Sequence, residues 1–191
     1  MLNRGADFLP PRRRVRREKD VRILSRSPGE THRIGVELAR KLKIPGVLFL
    51  RGPLGTGKTT LARGVAEGLG LADPSLVSSP SFSLVNIYHG KFPIFHVDLY
   101  RISGGRELRS IGIEDFLEKE GVTIVEWSER MTNRLQAAIE VEIEDAGEDA
   151  RWIRIWYPAI SSGRRRGRPQ TVAKSVPRRR RLPGRLGRGR K

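Results

Sequence analysis

The 191-residue chain contains no cysteine. That absence excludes a disulfide framework, a thiol nucleophile and any cysteine-ligated metal or iron–sulfur cluster, and it fits a reducing, cytoplasmic setting. Histidine is nearly absent too: His32, His89 and His96 are too scattered to form a metal-ligand cluster. No apolar run approaches the roughly 20 residues that a membrane-spanning helix needs, so a soluble protein with no membrane partner is expected. The opening segment, MLNRGADFLPPRRRVRREKD, lacks the apolar centre of a signal peptide. Acidic residues are missing from residues 161–191, which hold 13 basic groups.

This last absence locates the formal net charge of +17. Residues 1–20 carry 7 basic and 3 acidic groups, so the ends account for the whole excess and residues 21–160 are formally neutral. A basic face across a folded domain is therefore not implied. The C-terminal segment is rich in Gly, Pro and Arg and poor in bulky apolar residues, so burial cannot offset its ordering entropy. The organisation expected is a disordered basic extension over residues 1–21, a folded domain over 22–160 and a disordered Arg-rich tail over 161–191. The tail reads either as an incidental solvated extension or as a polyelectrolyte arm with salt-sensitive, sequence-blind RNA affinity.

What is present is a phosphate-binding signature. The stretch RGPLGTGKTT follows the apolar run GVLFL. Gly52, Gly55 and Gly57 let a backbone curl with its N–H groups turned inward, an arrangement that cradles anions. Lys58 adds a point charge for the outer phosphates, and Thr59 offers a hydroxyl for Mg²⁺ at the start of a helix whose N-terminus is itself electropositive. The context fits: a β-rich run (Val47 to Leu50) precedes the loop, and a helical pattern (Leu61, Ala62, Val65, Ala66, Leu69) follows it and stops at Gly70. The structural alternative is a flexible surface turn.

The rest of the central segment reads as alternating elements. THRIGVELARKLK has helical spacing, SLVNIYHG and FPIFHVDLY form a hairpin around Gly90, and residues 106–119 form short helices broken at Gly112. VTIVEW is a buried strand, SERMTNRL a short helix, and AIEVEIED and RWIRIWYP are strands joined by the acidic turn AGED. The class expected is α/β: one domain with a mixed sheet and its site at the carboxyl ends of the central strands. A P-loop also needs an acid near Mg²⁺ and a group that organises the attacking water. Asp98 and Glu126 each end an apolar strand; the bland alternative for either is a strand-end acid that caps a turn.

At this point the motifs carry a resemblance. The series LGTGKTT (54–60), SPSF (79–82), HVDLYR (96–101) and VEW (125–127) resembles the TsaE family of bacterial ATPases of tRNA threonylcarbamoyladenosine biosynthesis, over about residues 26–157. The resemblance implies a P-loop NTPase-like three-layer domain, ATP and Mg²⁺ as cofactors, slow ATP hydrolysis, and TsaD- and TsaB-type partners that transfer threonylcarbamoyl to tRNA. It places Leu54, Thr56 and Thr60 beside the glycines and Lys58 at the nucleotide, Thr59 and Glu126 at Mg²⁺, and Asp98 with Lys58 in hydrolysis. Ser79, Pro80, Ser81 and Phe82 fall in a switch-like loop; the family usually has threonine where this chain has Ser81, which keeps the hydroxyl. Thr31 matches a family threonine near the nucleotide and reads equally as a helix-start residue. Arg151 reads either as a nucleotide contact or as an exposed strand arginine. The family's proteins generally lack Arg-rich ends.

His96 is expected to be a structural hydrogen-bonder rather than a base. Trp127, Trp152 and Trp156 are expected to pack a core or an interface, with base stacking as the alternative. Tyr100 and Arg101 are candidates for a partner contact or for a solvated turn. Two other functions remain open. A small-molecule kinase would need a lid arginine set and an acceptor pocket, neither of which can be located. A non-catalytic RNA-binding protein would rest on the basic tails alone.

Overall fold

Four successive apolar residues, Val47 to Leu50, are all buried, which requires a strand covered on both faces. The computed structural model, which describes residues 17–103, 107–108, 112–131 and 137–159, sets them in the middle of a seven-stranded sheet. In chain order the elements are β1 (Arg17–Ser25), α1 (Pro28–Ala39), β2 (Gly46–Arg51), α2 (Lys58–Gly68), β3 (Val85–His89), β4 (Pro93–Asp98), α3 (Ile113–Glu118), β5 (Val122–Glu126), β6 (Ile139–Asp145) and β7 (Arg151–Pro158). Short 3-10 turns occupy Pro74–Leu76 and Ser128–Arg130. The strand order is β1-β7-β6-β2-β5-β4-β3. Strands β6, β2, β5 and β4 run parallel. Antiparallel wings, β7 and β1 on one side and β3 on the other, complete the mixed sheet.

The alternation of β2 divides the core. Leu48 and Leu50 face α1 and α2, where they pack with Leu38, Leu61, Val65 and Ile124. Val47 and Phe49 face the other way, toward Val97, Leu99, Ile102 and Ile113. The result is the three-layer α/β domain expected. Helices α1 and α2 approach closely at two glycines: a Cβ on Gly35 would lie 2.4 Å from the Leu61 carbonyl oxygen, and one on Gly64 would lie 2.0 Å from that of His32.

Two boundaries differ from expectation. Helix α1 begins at Pro28, because Ser27 caps it: Glu30 N donates to Ser27 Oγ at 3.2 Å, and Arg26 N donates to Glu30 Oε2 at 2.6 Å. It stops at Ala39, short of the Lys-Leu-Lys run. The larger difference is β1, which starts at Arg17, inside the segment assigned to an extension through residue 21. Val21 and Ile23 pair with Ile155 and Ile153 of β7. The intervening charges are partnered across the strands: Arg154 Nη2 donates to Asp20 Oδ2 at 2.5 Å, and the Arg22 guanidinium lies 4.2 Å from the Trp152 ring centroid. The remaining expectations for the two ends, over residues 1–16 and 160–191, fall outside the described residues, as do residues 132–135 of the helix expected over SERMTNRL.

Candidate nucleotide site

Strand β2 ends at Arg51 and α2 begins at Lys58, so residues 52–57 form the strand-to-helix loop. Gly52 has φ of +137°, and a Cβ there would lie 2.2 Å from the Ile143 carbonyl oxygen; no other residue fits that turn. Gly57, at φ +96°, is the N-cap of α2 and supplies no side-chain cap. The first-turn N–H groups of α2 are left without such a partner, the arrangement in which a helix start receives an anion. Thr56 Oγ1 donates to the Pro53 carbonyl at 2.9 Å and ties the loop together. Leu54 at its tip is 73% exposed.

Lys58 is buried and folded back into this loop. Its Nζ donates to the carbonyls of Gly52 (2.7 Å) and Pro53 (2.8 Å) and lies 4.0 Å from the centroid of the Trp127 ring. Burial pushes the ammonium pKa below the ordinary lysine value, and the charges of Glu126, Glu129 and Asp98 offset part of that shift.

The two acids end adjacent parallel strands and are direct register partners, Asp98 on β4 and Glu126 on β5. Both are buried. Glu126 Oε1 accepts from Thr59 Oγ1 and from His96 Nε2, each at 2.9 Å. Asp98 holds a different segment: its Oδ2 accepts from Ser79 Oγ and from Ser81 Oγ (2.9 Å), and its Oδ1 accepts from Tyr100 N (2.7 Å). The Ser79–Phe82 loop is closed at its far end by Leu84, at φ +65°, whose N–H donates to the Pro80 carbonyl at 2.7 Å. Phe82 is 84% exposed, with the Arg101 guanidinium 4.0 Å from its ring centroid. Thr59, Glu126 and Asp98 offer oxygen donors only, the ligand type that suits a hard ion such as Mg²⁺.

Comparison with known proteins decides what this arrangement belongs to. The family model described as "Threonylcarbamoyl adenosine biosynthesis protein TsaE" matches residues 25–153. The chain belongs to the TsaE family. Its similar relatives include the TsaE of Bacillus subtilis, 36% identical over 71% of this chain and 84% of that protein. The TsaE of Aquifex aeolicus is 38% identical over 70% of this chain and 94% of its own length. Among solved structures, Bacillus subtilis YdiB superposes with a TM-score of 0.59 at 32% identity, covering 73% of this chain and 86% of that one. The span matched to TsaE takes in the glycine loop, both acids and the Ser79–Phe82 loop, and leaves out both basic ends.

Within that TsaE span the open residues fall as follows. Thr31 is the fourth residue of α1, in its first turn but not its cap; its Oγ1 lies 2.8 Å from Ser25 Oγ, and its Cγ2 would be 3.7 Å from a Cβ on Gly57. It therefore lines the glycine loop. The Arg151 guanidinium is engaged elsewhere, donating to the carbonyls of Glu148 (3.0 Å) and Ala150 (2.6 Å) in the β6–β7 turn. Thr60 is half-buried at the start of α2. Sequence reading missed the Lys58–Trp127 contact; it set Asp98 beside the Ser79–Phe82 loop but did not name Ser79 and Ser81 as its hydrogen-bond partners. It read His96 as a hydrogen-bonder but did not name Glu126 as its partner. The signal was faint: the His-x-Asp spacing puts both side chains on one face of β4, but only the β4–β5 register says what they meet.

Proposed function

We propose that this protein is a slow, Mg²⁺-dependent ATPase of tRNA threonylcarbamoyladenosine biosynthesis, acting in the cytoplasm on a TsaD- and TsaB-type transferase complex that it resets by hydrolysing ATP. The observation that carries the reading is the Thr59–Glu126 hydrogen bond at the mouth of the glycine loop, with Asp98 on the next strand. In this account the first-turn amides of α2 and Lys58 bind the phosphates, with Thr31 packed against the loop. Lys58 must leave the Gly52 and Pro53 carbonyls to do so, which makes the loop responsive to nucleotide. Thr59 and Glu126 would hold the ion, which when bound neutralises charge on the outer phosphates. Asp98 orients water and, through Ser79 and Ser81, links that task to the position of the switch loop. Leu54, Phe82 and Tyr100 are exposed apolar side chains on three loops around the site, a placement that suits a partner sensitive to nucleotide state.

Phosphate release measured alone, with TsaD- and TsaB-type partners, and with those partners plus tRNA tests the reading. Slow basal release stimulated by the complex is expected. Transfer of the γ-phosphate to a small-molecule acceptor would make the protein a kinase. Tight RNA retention with no nucleotide binding would make it a non-catalytic RNA-binding protein.

A further inference from the structure

His96 is fully buried on β4, and its Nε2 lies 2.9 Å from Glu126 Oε1. A carboxylate oxygen only accepts unless it carries a proton, so the ring donates through Nε2. Nδ1 is then the bare nitrogen, and it is buried with no hydrogen-bond partner among the described residues. Leaving a buried polar atom unpaired is costly, and a leucine of similar volume would avoid that cost on this core-facing position. The imidazole is explained by its other nitrogen. The same oxygen accepts from Thr59 Oγ1, so one carboxylate is fixed from two sides, by the helix that follows the phosphate loop and by the neighbouring strand. Two donors on one oxygen fix both the rotamer of Glu126 and the direction of the Thr59 proton, leaving that hydroxyl's lone pairs available to an ion.

We propose that His96 is a positioning residue for the ion site: its Nε2–H holds Glu126 in the orientation in which Glu126 and Thr59 take up Mg²⁺ together. The inference rests on the nucleotide-site reading above and adds a residue that touches neither nucleotide nor metal. A hydrogen-bonded partner behind a ligating side chain typically changes metal affinity by about 10- to 100-fold.

The test compares His96→Leu, which removes the donor and keeps the bulk, with His96→Gln, whose amide reaches about as far as Nε2, and His96→Asn, whose amide is too short. ATP binding is measured by calorimetry without metal and across a Mg²⁺ titration, with thermal melting as the control for folding. In the leucine and asparagine variants the Mg²⁺ concentration needed for half-maximal enhancement of binding should rise by about 10-fold or more. Metal-free ATP affinity should stay within about 3-fold, and the glutamine variant should recover most of the Mg²⁺ dependence. A folded leucine variant whose titration overlays the parent protein would overturn the proposal. Should the leucine variant not fold, equal titrations for glutamine and asparagine would overturn it instead. Glu126→Gln separates the two levels: if it leaves the Mg²⁺ dependence intact, the ion-site reading itself fails. If it shifts the titration while no His96 variant does, only the role of His96 is lost.

Discussion

Lys58 is folded back onto the carbonyls of its own loop. The two carbonyls that hold it, Gly52 and Pro53, belong to the loop proposed to receive nucleotide, so on that proposal its ammonium would exchange backbone oxygens for phosphate oxygens when ATP binds. Lys58→Ala should abolish tight ATP binding in calorimetry while leaving the protein folded, because loop amides alone cannot balance the charge of the β and γ phosphates. Only the protonated form serves, and burial lowers its pKa in the free protein. ATP affinity should therefore begin to fall below the ordinary lysine midpoint as pH rises. Binding, which favours the ammonium, should take up protons in that alkaline range, read as a dependence of the binding heat on buffer ionisation enthalpy. Asp98→Asn should act differently, keeping ATP affinity within a few-fold and lowering hydrolysis by about 10²-fold or more, since it removes a positioning or proton-accepting group. Proportional loss of both would exchange the roles of Asp98 and Glu126. The glycine loop and the two acids were legible because each is written in a contiguous run. The Lys58–Trp127, Asp98–Ser79 and Glu126–His96 contacts were not, because they depend on strand register and on how loops 19 to 69 residues apart in sequence meet.

At the scale of elements, the helix pair that carries the phosphate loop depends on two missing side chains. Gly64→Ala would put a methyl group 2.0 Å from the His32 carbonyl oxygen, and the nearby atoms are backbone, which cannot swing aside. The helices must separate, at a cost of about 1–3 kcal/mol or more, so thermal melting should move down by several degrees. Gly29→Ala is the matched control: the nearest atom to its added methyl is Ser27 Oγ at 3.8 Å, and a helical glycine replaced without strain should leave the melt unchanged or raise it. Equal effects of the two would show that helix packing is not the constraint. The central strands and both long helices were legible because their apolar periods are long and uninterrupted. β1 was not. Its two inward residues, Val21 and Ile23, are embedded in arginines and acids, and a two-residue alternation among charges looks like a solvated extension until a partner strand is supplied. Trp152 and Arg154 of β7 supply it, one stacking on Arg22 and the other bonding Asp20.

At the scale of the molecule, charge and nucleotide chemistry are separated along the chain. The groups placed around the phosphate loop, Thr31, Lys58, Thr59, Asp98 and Glu126, all belong to a segment that is formally neutral, while residues 161–191 carry 13 basic groups and no acidic ones. Strand β7 also runs away from the site. Arg151 pairs with Ser25, which bonds Thr31 beside the glycine loop, whereas Pro158 pairs with Arg17 at the opposite end of the same ladder, about 23 Å along the strand. Pro158 therefore lies at the far end of this ladder from the glycine loop. Deleting residues 161–191 should leave ATP affinity and basal hydrolysis unchanged. If the tail binds RNA, the deletion should also weaken retention of tRNA and flatten the plot of log affinity against log salt, because each phosphate no longer neutralised removes about 0.7 to 0.9 from the slope. Fluorescence anisotropy with labelled tRNA across a salt series reads both quantities. An unchanged slope would make the tail incidental to RNA binding, and a fall in ATP affinity would mean that these cations reach the phosphate site after all.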